Sequence, residues 1–318
     1  MARPGRQPRC SDEEFIELFT MNGPEQTAKQ LKVSLRGVYS RRRDIENRVG
    51  HRFYPPSVKS NFIIPTHPSR LQFQISDGTV LIGSDAHVWP DDRTTAQTAF
   101  IQFAKKLQPD LLILNGDVLD GATVSRHAAI GWESRPSLEE ELEAVTAFLD
   151  DLEKAAPNSK KVWALGNHDA RFETKLANVV PEYAGIKGVH LKDHFPNWQA
   201  CWSIWINDDV VVKHRYKGGH HATHQNTVNS GKTIITGHLH SLKCTPFTDY
   251  NGTRFGVDTG TLADPLGQQF MDYTEDNPKN WRSGFAVLTF HKDTLLWPEL
   301  VHTFSNTEVE FRGEVIKI

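Results

Sequence analysis

From Thr79 onward, apolar residues gather in short unbroken runs, TVLIGSD, DLLILNGD and KVWALGNHD, separated by two longer stretches with helical spacing, TTAQTAFIQFAKKL and SLEEELEAVTAFLDDLEKAA. Continuous apolar runs of this length suit strands covered on both faces, so the alternation predicts a βαβαβ unit around a parallel sheet. Each run ends in polar residues, at the edge where such sheets carry ligands. Further along, the shorter runs CWSIWI, VVVKH, TIITGH, GFAVLTF and TLLWPELV predict a mixed second sheet packed against the first.

The N-terminal stretch has another rhythm. Ser11 followed by Glu14 forms a capping box ahead of Phe15, Ile16, Leu18 and Phe19. A second helix starts at Pro24 with Ala28 and Leu31 on its apolar face, and Ser34 caps a third with Val38 and Ile45 inward. Three short helices with a tight Lys32-Val33-Ser34 turn resemble a helix-turn-helix unit, in which the third helix offers Arg36, Arg41, Arg42 and Arg43 to phosphates or base edges. The plainer alternative is a small helical cap with a solvated basic face. Residues 51–76, rich in proline, predict an extended connector. The expected domains are therefore a small all-α domain over 1–50, that linker, and an α/β domain over 77–318.

Composition narrows the class. The chain has 318 residues, 38% hydrophobic and 24% charged, as in an ordinary soluble protein. No run approaches the ~18 apolar residues that span a bilayer, and MARPGRQPRC lacks an apolar segment after its basic residues, so neither membrane association nor export is expected. Cys10, Cys201 and Cys244 are odd in number and widely spaced, which points to a reducing cytoplasm and to neither a disulfide framework nor a thiolate zinc site. The net charge of −3 is uneven: residues 1–52 hold 11 Lys+Arg against 7 Asp+Glu, and the remainder 25 against 32. A polyanion would meet the basic end first.

Five strand ends carry groups that bind metals: Asp85 and His87 in SDAH, Asp117 in NGDVLD, Asn167 and His168 in GNHD, His214 in VVVKH, and His238 and His240 in TGHLH. Each alone is an ordinary polar strand end. Their joint occurrence, in order and each after an apolar run, is a signal for a metal site. Gly116, Gly166 and Gly237 would let the backbone turn sharply and approach ions closely.

The order DxH, GDxxD, GNHD, a strand-terminal His and GHxH resembles the calcineurin-like metallophosphoesterase superfamily, in particular the phage and bacterial type. That resemblance spans residues 79 to 240. It implies a four-layer double β-sandwich flanked by helices and a site of two divalent metal ions. It further implies that Asp85, His87 and His240 hold one ion, that Asn167, His214 and His238 hold the other, that Asp117 bridges them, and that His168 is catalytic. Many members have Gly after the strand-terminal His where this chain has Arg215, so His220, His221 and His224 stand as alternatives to His214.

Oxygen and imidazole donors without thiolate suit manganese, with iron, zinc or nickel as alternatives. A carboxylate shared by ions ~3.5–4 Å apart activates water and clamps a phosphoryl group. Asp169 is expected to orient His168, and Asp120 to support its loop. Arg171, Arg126 and His127 are candidate phosphate contacts. These features predict a phosphodiesterase or nuclease acting on nucleic acid. The alternatives are a small-molecule or protein phosphomonoesterase whose N-terminal domain serves docking or oligomerisation, and a DNA-binding regulator with an inert domain. Protein phosphatases of the family have Arg and Glu where this chain has Gly121 and Asp169, which argues against that branch.

Overall fold

The structure, a computed structural model, describes residues 10–55, 67–125, 132, 134–270, 277 and 279–318, and the chain divides into two units, Met1–Ile63 and Ile64–Ile318. The first contains α1 (Asp12–Leu31) and α2 (Leu35–Val49). The capping box forms as its spacing predicts: the Ser11 hydroxyl accepts from the Glu14 amide at 3.1 Å, and the Glu14 carboxylate from the Ser11 amide at 2.8 Å. Gly23 leaves helical geometry at φ 76° and ψ 173°, just ahead of Pro24. Proline has no amide to donate, so α1 breaks into two arms where the sequence predicts two helices. Ser34 caps α2 by accepting from the Gly37 amide at 3.1 Å.

Phe15, Phe19, Val38 and Ile45 form the core of this unit. A core this small recruits its arginines. The Arg41 and Arg42 guanidinium carbons lie 4.8 and 5.2 Å from the Phe15 and Phe19 ring centroids. Arg41 also donates to the Cys10 carbonyl at 2.6 Å and pairs with Asp12 at 3.2 Å, and Arg42 pairs with Glu46 at 2.8 Å. Of the four arginines expected to face outward, only Arg36 and Arg43 are exposed. Arg41 and Arg42 are half-buried because their stems cover aromatic rings.

The second unit runs β1 (Leu71–Phe73), β2 (Gly78–Gly83), α3 (Thr95–Leu107), β3 (Leu111–Leu114), α4 (Leu138–Ala155), β4 (Lys160–Ala164), α5 (Asp169–Val179), α6 (Leu191–His194), β5 (Gln199–Cys201), β6 (Ile204–Ile206), β7 (Val210–Val212), α7 (Ala222–Ser230), β8 (Thr233–Thr236), β9 (Lys243–Asp249), β10 (Gly252–Asp258), β11 (Gly284–His291), β12 (Thr294–Leu295), β13 (Glu299–Ser305), β14 (Glu308–Phe311) and β15 (Glu314–Lys317). One sheet has the order β15-β14-β13-β11-β2-β3-β4-β5, with β12 attached to β11. The other has the order β1-β6-β7-β8-β10-β9.

Side chains alternate faces along a strand, and both faces of β2, β3 and β4 are apolar. Val80, Ile82, Leu111, Ile113 and Val162 meet Ile204, Ile206, Val212, Ile235 and Val257 of the facing sheet. Leu81, Leu112, Leu114 and Trp163 meet Phe100 and Phe103 of α3 and Phe148 and Leu152 of α4. α7 covers the other sheet's outer face so closely that a Cβ on Gly256 would overlap the Thr223 carbonyl. Helices, two sheets and a further helix give the four layers expected.

Several details differ from the sequence pattern. GFAVLTF does not join the second sheet: as β11 it runs antiparallel to β2, with Val287 beside Leu81. TLLWPELV also joins the first sheet, splitting into β12 and β13 around Pro298, which cannot donate to a ladder, and CWSIWI divides, Cys201 ending β5 of the first sheet and Ile204–Ile206 forming β6 of the other. Within the stretch read as a connector, residues 56–66 lie outside the described residues, and Leu71–Phe73 forms β1, parallel to β6. No described helix is long and apolar enough to cross a membrane.

Candidate dinuclear metal centre

The strands deliver their terminal residues into one place because their exit loops are tied to each other. The Asp85 amide donates to the Gly116 carbonyl at 2.8 Å, the His87 amide to the Asp117 carbonyl at 3.0 Å, and the Gly237 amide to the His214 carbonyl at 2.9 Å. The His238 amide donates to an Asp85 carboxylate oxygen at 2.8 Å, joining the ends of the two sheets. The turns are sharp. Asp85, His87, Asp117, His238 and His240 have φ of 52°, 37°, 51°, 69° and 54°, a left-handed region that side chains with a Cβ occupy at a cost and mostly where function demands it. Gly166 abuts Asp117 and Gly237 abuts Asp85 so tightly that a Cβ on either would overlap the carboxylate.

Donor atoms of Asp85, His87 and His240 lie within 4.8 Å of one another, as do those of Asp117, His214 and His238 and those of His87, Asp120 and His168. The second group includes His214. His220, His221 and His224 belong to no such group among the described residues, and the His224 ring packs on Phe247 at 5.5 Å.

The Asp85 and Asp117 carboxylates and the His87, His214 and His240 imidazoles are each held on at least one side. One Asp85 oxygen accepts from the Ser84 hydroxyl at 2.5 Å, and the other stands 3.0 Å from His240 Nε2. One Asp117 oxygen accepts from the His168 amide at 2.8 Å, and the other stands 3.1 Å from His214 Nε2. His87 Nδ1 donates to Asp120 at 2.8 Å and His214 Nδ1 to the Asn115 carbonyl at 2.8 Å. These bonds orient both rings and turn Nε2 of each into the cluster, where a metal ion would take the place of any proton. Twelve buried side-chain polar atoms among the described residues have no hydrogen-bond partner, and four of them are His87 Nε2, His214 Nε2, His240 Nδ1 and Asn167 Oδ1. Unpartnered buried polar atoms are costly, and their concentration on these four residues is what a cation-binding cradle requires. The donors therefore fit a pair of metal ions.

The electrostatics agree. Burial pushes the Asp85 carboxyl up, but the His240 and His214 imidazoles outweigh it and hold it at about 2. Burial pushes His214 down, and Asp117 and Asp85 together raise it to about 10. The two carboxylates favour positive charge at His214, while burial and the neighbouring imidazoles hold His87 and His238 below the ordinary histidine value.

His168 lies beside this cluster. Its Nδ1 faces the Asp120 carbonyl at 2.9 Å and carboxylate at 3.1 Å, and its Nε2 is 3.9 Å from Asp117 and accepts from Arg171 at 2.9 Å. The carboxylate that orients the imidazole is thus Asp120 and not Asp169. Asp169 faces the other way, accepting from the amides of Asp117, Val118, Leu119 and Gly166 and from the Trp163 indole at 2.8–3.1 Å. It braces the Asp117 loop. Arg126 and His127 lie outside the described residues. The loops TGTLADPLGQQF and NWRSG also brace the site: the Thr261 hydroxyl donates to the Asp85 carbonyl at 2.6 Å, and Trp281 packs on His240 at 4.6 Å.

A family model for calcineurin-like phosphoesterases matches residues 78–251, more than half of the chain. The chain belongs to this family. A calcineurin-like phosphoesterase is a metal-dependent hydrolase of phosphoester bonds with a dinuclear centre. Similar solved structures include zinc-bound Vps29 from Entamoeba histolytica, at 13% identity and TM-score 0.39, over 75% of this chain and 98% of that one. Yfce, a phosphoesterase from E. coli, aligns at 13% identity and TM-score 0.33 over 69% and 97%. A dimetal phosphatase from Danio rerio aligns at 11% identity and TM-score 0.33 over 77% and 99%. No curated protein matches the chain in sequence.

Proposed function

We propose that this phosphoesterase is a manganese-dependent phosphodiesterase that cleaves nucleic acid. Asp85, His87 and His240 would hold one ion, Asn167, His214 and His238 the other, and Asp117 would bridge them. The observation that carries the assignment is the set of unpartnered donor atoms on His87, His214, His240 and Asn167. When bound, the two ions supply an activated water and positive charge for the phosphoryl group. Three oxygen-donor residues, Asp85, Asp117 and Asn167, favour a hard ion such as manganese over softer ones.

The protein's own groups do the rest. With Asp120 holding the ring through Nδ1, His168 takes up a proton from solvent at Nε2 once Arg171 has moved to the phosphate and hands that proton to the leaving oxygen. Arg171 covers that nitrogen until a phosphate oxygen draws the guanidinium away. The exposed Arg36 and Arg43 of α2, in a basic unit resembling a helix-turn-helix, support a polyanionic substrate. Gly121 and Asp169, where protein phosphatases of the family have Arg and Glu, support a distinction from that branch. The three cysteines are free, which suits a reducing cytoplasm.

Bis(p-nitrophenyl) phosphate and p-nitrophenyl phosphate, each with Mn²⁺, test the reading alongside a labelled oligonucleotide. The expected result is a preference for the diester together with cleavage of the oligonucleotide. A preference for the monoester with an intact oligonucleotide would replace it with a phosphomonoesterase.

A further inference from the structure

The loop after His214 reads Arg215-Tyr216-Lys217-Gly218. It borders a recess of about 130 Å³ whose opposite wall is Thr236, Gly237, His238 and Leu239. His238 is the exposed member of the group it forms with Asp117 and His214, both buried, so that half of the metal centre opens to solvent beside the recess.

This loop is anchored at two points. Asn226 of α7, 1% exposed, accepts from the Lys217 amide at 3.1 Å and donates to the Lys217 carbonyl at 3.3 Å. The Lys243 ammonium donates to the His220 carbonyl at 2.6 Å. Backbone fixed in this way holds Arg215 and Lys217 out into solvent, and neither side chain has an ion-pair or hydrogen-bond partner among the described residues. Between them Tyr216 is 43% exposed, with the Lys213 ammonium 5.3 Å from its ring centroid. Cations at alternate positions around an exposed aromatic ring are the elements that single-stranded nucleic acid binds, phosphates on the cations and an unpaired base on the ring. A duplex offers no free base face to Tyr216, and a monoester has no second phosphate for the loop to hold.

We propose that the Arg215–Lys217 loop is a rail for single-stranded nucleic acid, in which Arg215 and Lys217 take a phosphate beside the scissile one and Tyr216 stacks on its base. This deepens, and rests on, the reading of the enzyme as a phosphodiesterase of nucleic acid. The rail makes the substrate a strand that continues past the cleaved bond on the His238 side.

The test uses the full chain and a fluorescein-labelled oligothymidylate of about eight nucleotides. Binding is read by anisotropy in EDTA, where no turnover occurs. The Arg215→Ala/Lys217→Ala double variant binds roughly 10- to 100-fold more weakly, and its log Kd against log salt slope falls by about 1.4, as loss of two contacts to a single strand requires. Tyr216→Ala weakens binding without changing the slope, and Arg215→Lys keeps the slope. With Mn²⁺, the double variant loses at least about ten times more kcat/KM on the oligonucleotide than on bis(p-nitrophenyl) phosphate. A double variant with wild-type affinity and slope, or with equal losses on both substrates, overturns the rail alone. Wild-type protein that hydrolyses bis(p-nitrophenyl) phosphate yet neither binds nor cuts the oligonucleotide overturns the nucleic-acid assignment with it.

Discussion

Asp120→Asn separates the two duties of one carboxylate. A single Asp120 oxygen accepts from His87 Nδ1 at 2.8 Å and from His168 Nδ1 at 3.1 Å. Burial raises this carboxyl, but the two imidazoles outweigh burial and hold it far below the usual range. Asparagine keeps the shape and removes the charge. A hydrogen bond to a charged acceptor is worth about 1.5–3 kcal/mol, against about 0.5–1.5 for a neutral one, so the two bonds together lose roughly 2–3 kcal/mol.

Loss of a carboxylate behind a metal-bound imidazole costs about 10- to 100-fold in affinity or activity, the same range. The expected outcome is therefore a rise of that size in the apparent Mn²⁺ Kd of chelator-stripped protein, read by calorimetry. The pH profile of kcat at saturating Mn²⁺ moves as well. Burial lowers His168, and Asp117 and Asp120 raise it above its ordinary value. Removing the Asp120 charge lowers it, and a proton donor is lost above its own pKa, so the alkaline limb shifts to lower pH. An unchanged Kd with an unmoved limb would refute the reasoning.

Three further outcomes follow from the same geometry. His168→Ala retains metal by elemental analysis and loses about 10²- to 10⁴-fold in kcat; full activity would remove its role. Gly166→Ala, whose Cβ would overlap Asp117, costs about 1–3 kcal/mol in denaturant unfolding and lowers metal occupancy; wild-type values for both would contradict the close approach. Glu141, buried under the Gly121 and Ala122 amides that it accepts at 2.6 and 2.9 Å, is pushed up to about 7 by burial and then by Asp120, against the pull of those amides. A raised carboxyl stabilises the fold below its unfolded value near 4.5 and loses that contribution as pH rises towards 7, up to about 3 kcal/mol. Unfolding in EDTA should show this loss between pH 5 and 8 for the wild type and a flatter curve for Glu141→Gln; parallel curves would count against it.

The strands β2, β3 and β4, the helices α3 and α4 and the order of candidate donors were legible because each depends on local pattern. An apolar run ending in Asp, Asn or His states its own element and its own edge. Sheet membership was not legible for β11, whose partner β2 lies some two hundred residues earlier in the chain; pairing over that distance leaves no local trace. The β9–β10 hairpin is hard to read because β9 is largely half-exposed and carries Pro246, although the Asn251-Gly252 dipeptide at its Tyr250-Asn251 turn is a usable signal.

Adjacency in sequence points to Asp169 as the partner of His168. As the first residue of α5, Asp169 instead turns its carboxylate back onto the amides of the Asp117 loop, and Asp120, some fifty residues away, meets the imidazole. Charge along the sequence cannot reveal that Asp12, Glu46 and two phenylalanine rings already engage Arg41 and Arg42.

The most direct measurement is anomalous diffraction at the manganese edge from crystals grown with Mn²⁺. Two peaks about 3.5–4 Å apart are expected, one among Asp85, His87 and His240, the other among Asn167, His214 and His238, with Asp117 between them. A single peak, or two peaks away from these side chains, would contradict it.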